Sequence, residues 1–189
     1  MKYVYIISFY LTIAFSLNNI VYSQEFKLVL DETLVVGEKD GSSDVYLFSG
    51  IRTFLPHPNG NLFVADASDA SIRVFNRQGK FIKKIGQRGR GPGDFHEVTF
   101  ISNNNDGSFI VADRMQDRIS FFDTEGNYVK SATLDGKSLG TLQFVFKINE
   151  EDYLLGFRDY LNAEQNGYFF HLYDKSLDTE KGHYLDLYE

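Results

Sequence analysis

Two segments of this 189-residue chain are written to one template, and the register between them holds without a gap. Asn59-Gly60-Asn61-Leu62-Phe63-Val64-Ala65-Asp66, then Ile72-Arg73-Val74-Phe75 and Gly79-Lys80-Phe81-Ile82-Lys83, recurs as Asp106-Gly107-Ser108-Phe109-Ile110-Val111-Ala112-Asp113, Ile119-Ser120-Phe121-Phe122 and Gly126-Asn127-Tyr128-Val129-Lys130. Gly60 and Gly107, Asp66 and Asp113, Ile72 and Ile119, Gly79 and Gly126 are each 47 positions apart. A unit of that length made of short β-runs cannot bury both its apolar faces alone and must stack on copies of itself. Propeller blades or a comparable array follow from the repeat; a reaction does not.

The apolar runs of the first copy predict strands over 48–55, 61–66, 71–76 and 80–86, and the second restates them over 96–102, 108–113, 117–123 and 127–134. Between them Gly60, Gly79, Gly107 and Gly126 supply the positive φ that closes a hairpin. Four antiparallel strands joined by short turns make one propeller blade. A worn third copy predicts strands over 140–148, 152–158, 168–174 and 184–188. Its register slips at 159–167, which marks a longer loop of the kind that adds contacts to a rigid scaffold or is a neutral insertion. The expected fold is all-β, with blades at 45–92, 93–137 and, degenerate, 138–189. Three blades are fewer than the roughly four to eight that close a ring, so the remaining blades belong to a longer chain or the array is covered by an oligomer partner.

Met1-Lys2, the apolar run 3–15 and Val21-Tyr22-Ser23 read as a signal peptide over 1–23. An exported chain, periplasmic or extracellular, is expected, with no stable membrane span once the leader is cleaved; the alternative is an uncleaved anchor. Region 24–44 carries one weak strand pattern, a candidate for completing the last blade. Cysteine is absent, so disulfides cannot support the fold and core burial must. A net charge of −7 argues against a nucleic-acid partner. The 18 Phe and 12 Tyr suit the space between packed sheets.

The segment Gly86-Gln87-Arg88-Gly89-Arg90-Gly91-Pro92-Gly93-Asp94-Phe95, followed by Asn105-Asp106-Gly107, Ile110-Val111-Ala112-Asp113, Arg118-Ile119, Phe121-Phe122-Asp123 and Gly126, resembles the NHL-type repeat of six-bladed β-propellers. It is most similar to the exported six-bladed propellers common in Bacteroidetes, over 45–135 well and 136–189 loosely. The resemblance implies part of a six-bladed ring, incomplete or open. In the matched positions Gly89, Gly91 and Gly93 allow a sharp crossing between blades that Pro92 stiffens. Asp66 and Asp113 would end a buried strand, accepting backbone or Arg118 hydrogen bonds, as structural positions alongside Gly79, Gly126 and Arg118. His96-Glu97-Val98 stands where that family often has proline, and Ser71 where the second copy has Arg118. Both departures weaken transfer of a specific activity.

Catalytic machinery is not evident. There is no cysteine and no Gly-x-Ser-x-Gly elbow, and His57, His96, His171 and His183 show no metal-ligand spacing. No catalytic residue, metal ligand or cofactor is assigned. The Gly-rich segment lacks the Lys and hydroxyl of a phosphate loop. Seven cations and no acid fall between residues 70 and 93, whereas 150–189 holds ten acids against three bases. Arg88, Arg90, His96 and Arg114 are the candidate ligand contacts, for a protein or glycan ligand carrying negative charge. Lys83 and Lys84 fit the guarding of an outer strand against edge pairing. Two classes stay open: a non-catalytic binding or scaffold module, and a metal-dependent lyase or hydrolase with its site in the channel of the complete ring.

Overall fold

A computed structural model describes residues 35–36, 43–134, 140–159 and 167–188. The expected leader, most of region 24–44 and the 160–166 connection lie outside the described residues. Among the described residues, twelve strands follow a short 3-10 turn at Asp44–Tyr46. The first sheet holds β1 (Ile51–Pro56), β2 (Leu62–Asp66), β3 (Ser71–Phe75) and β4 (Phe81–Ile85). The second holds β5 (Val98–Asn103), β6 (Phe109–Asp113), β7 (Arg118–Phe122) and β8 (Tyr128–Thr133), and the third β9 (Thr141–Lys147), β10 (Asp152–Asp159), β11 (Gly167–Asp174) and β12 (Glu180–Tyr188). Each is an antiparallel meander in chain order. The first strands β1, β5 and β9 neighbour one another in succession, as innermost propeller strands do. These are three four-stranded blades.

The repeat extends to its irregularities. β1 and β2 slip register between Ile51 and Thr53, and β5 and β6 between Val98 and Phe100. β3 and β4 slip at Val74/Phe75, and β7 and β8 at Phe121/Phe122. A bulge bends and twists a strand, so repeated bulges give the two blades the same curvature. Gly79 and Gly126, at φ 74° and 79°, close the equivalent outer hairpins.

The middle sheet is covered on both sides. Every residue of β6 and β7 is buried, which is why Phe109-Ile110-Val111-Ala112 reads as a continuous apolar run. Phe109 and Val111 pack with Phe63, Ala65, Ile72 and Val74 of the first sheet. Ile110 and Ala112 turn the other way, toward Leu142, Val145, Tyr153 and Leu155 of the third. Alternation along one strand therefore sorts side chains into two inter-sheet cores.

The third sheet departs from the template in two ways. β12 begins at Glu180, four residues before the expected start. Its opening Glu180 and Lys181 are exposed on an edge strand, where backbone pairing to Tyr173 and Leu172 needs no apolar side chain to sustain it. On β10, Gly156 sits between Phe144 and Phe170, whose rings stack at 6.4 Å and 7°. A Cβ there would meet Phe144 at 2.9 Å and Phe170 at 3.0 Å.

Candidate anion-binding rim

Because each strand reverses its predecessor, one rim of the sheets gathers the starts of β1, β5 and β9, the β2–β3 and β6–β7 turns, and the β4–β5 crossing. That crossing is held by sterics and by its own backbone. Gly86 has φ 70°, and a Cβ on it would lie 2.4 Å from the ring of Phe95. Phe95 is fully buried, its N–H donates to the Gln87 carbonyl at 2.9 Å, and its carbonyl accepts from Gly89 N–H at 3.0 Å. Arg118 donates to the carbonyls of Arg90 (3.2 Å), Gly91 (3.3 Å) and Asp94. Of the two kinds of donor expected for Asp113, backbone or Arg118, the backbone supplies it, and the Arg118 guanidinium clasps the crossing.

Asp113 is fully buried at the end of β6. It accepts from the backbone N–H of His96 (2.5 Å), Glu97 (3.2 Å) and Met115 (3.1 Å) and from the Gln116 amide (2.9 Å). Asp66 does the same one repeat earlier, accepting from Ser49 N–H (3.3 Å), Ser68 N–H (2.9 Å) and the Ser68 hydroxyl (2.7 Å), with Arg73 at 3.6 Å. Both carboxylates tie the approach to a first strand onto the turn that follows the second.

Over this frame stand the candidate contacts. Arg88 is exposed and spans two blades, donating to the carbonyls of Ala67 and Ser68 (both 3.3 Å) and of His96 (3.4 Å). Arg90 is also exposed. His96 is half-buried and engaged through its backbone. Arg114 reaches Glu97 Oε1 at 2.7 Å, and Arg52 reaches the same oxygen at 2.8 Å. Two guanidiniums thus converge on one carboxylate oxygen, and Arg114 Nε has no hydrogen-bond partner among the described residues.

Arg52 and Glu97 escaped the sequence reading. Their signal was present: Arg52, Glu97 and Arg114 occupy positions whose repeat equivalents are Thr99, Gly50 and Ala67. Charge that a repeat does not reproduce is charge the scaffold does not need.

On the first sheet the rim carries a second network. Asp69 accepts from Ser71 Oγ at 2.6 Å and pairs with Arg73 at 3.0 Å and Lys84 at 3.1 Å. Burial pushes its carboxyl up, but Ser71, Arg73 and Lys84 outweigh that and hold it below the ordinary 3.8. A carboxylate depressed by folding contributes stability above its unfolded pKa and loses it as pH falls through the folded value. The Asp69→Asn variant is therefore expected to unfold at lower urea than the parent at neutral pH, with the gap closing as pH drops below about 4, in urea titrations at both pH values.

A cleft of about 450 Å³ opens beside the crossing, between β4 and β8, lined among others by Lys83, Lys84, Pro92, Asp94 and Tyr128. Lys83 is drawn to the Glu125 carbonyl. His57 lies at the opposite rim, its Nε2 2.6 Å from the Gly107 carbonyl, and His171 is paired with Glu180 at 2.7 Å. Among the described residues no three His, Asp or Glu side chains gather as metal ligands. No helix among them is long and apolar enough to cross a membrane.

Solved structures share the architecture. A Bacteroides fragilis protein described as exported superposes with a TM-score of 0.62 at 20% identity, over 77% of this chain and 40% of its own. A Bacteroides caccae protein of unknown function gives 0.57 at 13% identity, over 72% and 49%. The chain thus spans less than half the length of these two relatives. Virginiamycin B lyase from Staphylococcus aureus gives 0.48 at 14% identity, over 74% and 56%, too low to carry an argument. No curated protein matches the chain. The sequence pattern of the 6-bladed beta-propeller family matches residues 42–186, and the chain belongs to that family.

Proposed function

We propose that this chain is part of an exported, non-catalytic binding module that takes a carboxylate-bearing ligand at the crossing rim. The observation that carries the reading is the convergence of Arg52 and Arg114 on Glu97 at the rim where Arg88 and Arg90 stand exposed. Planar guanidinium forks match carboxylates two bonds at a time, and a neighbouring acid that fixes their orientation lowers the entropy lost on binding. The rim is built on strands and a clasped crossing, so its geometry is set before a ligand arrives. β10 ends and β11 begins on the same rim, and the connection between them would add contacts. Export rests on the leader read over 1–23 and on the description of the Bacteroides fragilis relative.

Calorimetric titration with galacturonate oligomers, poly-glutamate and a neutral oligosaccharide tests this. Binding to an anionic probe is expected, with the Arg88→Ser/Arg90→Ser variant weaker by about tenfold or more and its circular dichroism unchanged. Equal affinity in that variant, or no binding to either anion, removes the proposal.

A further inference from the structure

The cleft between β4 and β8 departs from the repeat at a place where the template supplies an apolar filler. Gln87 follows β4 and is exposed, whereas its equivalent one repeat later, Leu134, is 2% exposed and packs in the core between the second and third sheets. Asp94 and Lys84 line the same cleft, and the matching positions of the next repeat hold Thr141 and Ser131. Polar side chains that the repeat does not call for thus surround one opening of about 450 Å³, a volume in the range of small-molecule sites. Its lining comes from the first two sheets and the crossing that joins them.

The two lysines of the cleft do not make it an anion site. Lys84 is held by Asp69 at 3.1 Å, and Lys83 donates to the Glu125 carbonyl. Asp94 and Gln87 are the groups left over: neither side chain has a hydrogen-bond or ion-pair partner among the described residues. They are neighbours because the Phe95 N–H donates to the Gln87 carbonyl at 2.9 Å, which lays Asp94-Phe95 beside Gln87. The Asp94 carboxylate stands close over Gly89, where a Cβ would lie 2.6 Å from Oδ2. Tyr128 contributes to the wall on the β8 side, and its hydroxyl donates to Ser131 Oγ at 3.0 Å.

We infer that this cleft is a site for a neutral saccharide, separate from the anionic ligand proposed for the rim. A carboxylate with no cation paired to it repels anions and accepts from two adjacent hydroxyls, and a primary amide both donates to and accepts from such groups. A sugar ring carries hydroxyls on neighbouring carbons, so it replaces the water lost from both side chains bond for bond. An apolar ligand would strand the carboxylate and the amide without partners. The Tyr128 ring supplies apolar surface for the C–H side of the sugar.

Titration calorimetry of the purified protein with maltose, cellobiose and lactose, accompanied by amide NMR spectra, tests this. Saturable binding of at least one disaccharide is expected, with the largest shift changes at Gly93, Asn127 and Tyr128. Gln87→Leu installs the residue of the next repeat, and Asp94→Asn keeps the shape with one acceptor oxygen fewer. Each is expected to weaken binding by about tenfold or more at an unchanged urea midpoint. Gly89→Ala is expected to weaken it too, by crowding the Asp94 carboxylate while leaving both polar side chains in the sequence. Absence of binding to all three sugars overturns the inference. So does an affinity unchanged in Gln87→Leu or in Asp94→Asn, or shift changes centred on Arg52 and Arg114 instead of the cleft.

Discussion

Replacing Phe109 with Ala is expected to lower stability by about 3–5 kcal/mol. The ring is fully buried in the core between the first two sheets. It stacks on Phe122 at 5.0 Å and 5°, meets Phe63 edge-on at 5.1 Å, and has the edge of His57 at 6.5 Å. Truncation removes those contacts and leaves a cavity whose walls belong to two sheets, so neither can collapse into it without moving the other. Urea unfolding followed by circular dichroism reads the effect. The same change at Leu62, its half-buried repeat equivalent on the first sheet, is expected to cost less than half as much. Equal losses at the two positions would show that the inter-sheet core is not where the stability resides.

Asp113→Ala is the second large effect, about 3 kcal/mol, because it removes a fully buried acceptor shared by four donors rather than apolar contact. Three backbone N–H groups and the Gln116 amide converge on that carboxylate. Asn at this position keeps one acceptor oxygen and should recover about half of the loss. The Asp66→Ala change should be milder, since Ser49 and Ser68, its donors, are exposed and can turn to water. Urea midpoints for the three variants check the order, and an Asp66 variant as unstable as the Asp113 variant would contradict it.

The blades were legible because the two cores are written into the alternation itself. Phe63 and Ile110 share a repeat position and both face the following sheet; Leu62 and Phe109 share the position before it and turn to the opposite face, Phe109 against the first sheet and Leu62 into an apolar depression. The turn glycines and the crossing were equally plain, since backbone conformation at Gly79, Gly86 and Gly126 leaves few alternatives to that residue. What the sequence hid were side-chain partners across blades. Glu97 lies far along the chain from Arg52, and no local pattern says that Arg114 will join them. The sequence left Asp113 with either backbone or Arg118 donors; the structure satisfies it with amides and sets the guanidinium on three carbonyls of the crossing. The start of β12 was missed for a simpler reason: Glu180-Lys181-Gly182 has no apolar alternation, and an edge strand does not require one.

Each leaflet is a plain meander whose hydrogen-bonded partners are consecutive in the chain, so the loops that must close during folding are short. Among the described residues, the central leaflet finds apolar cover on both flanks. Nucleation is thereby biased to residues 98–133, and order spreads outward from there to the two leaflets beside it.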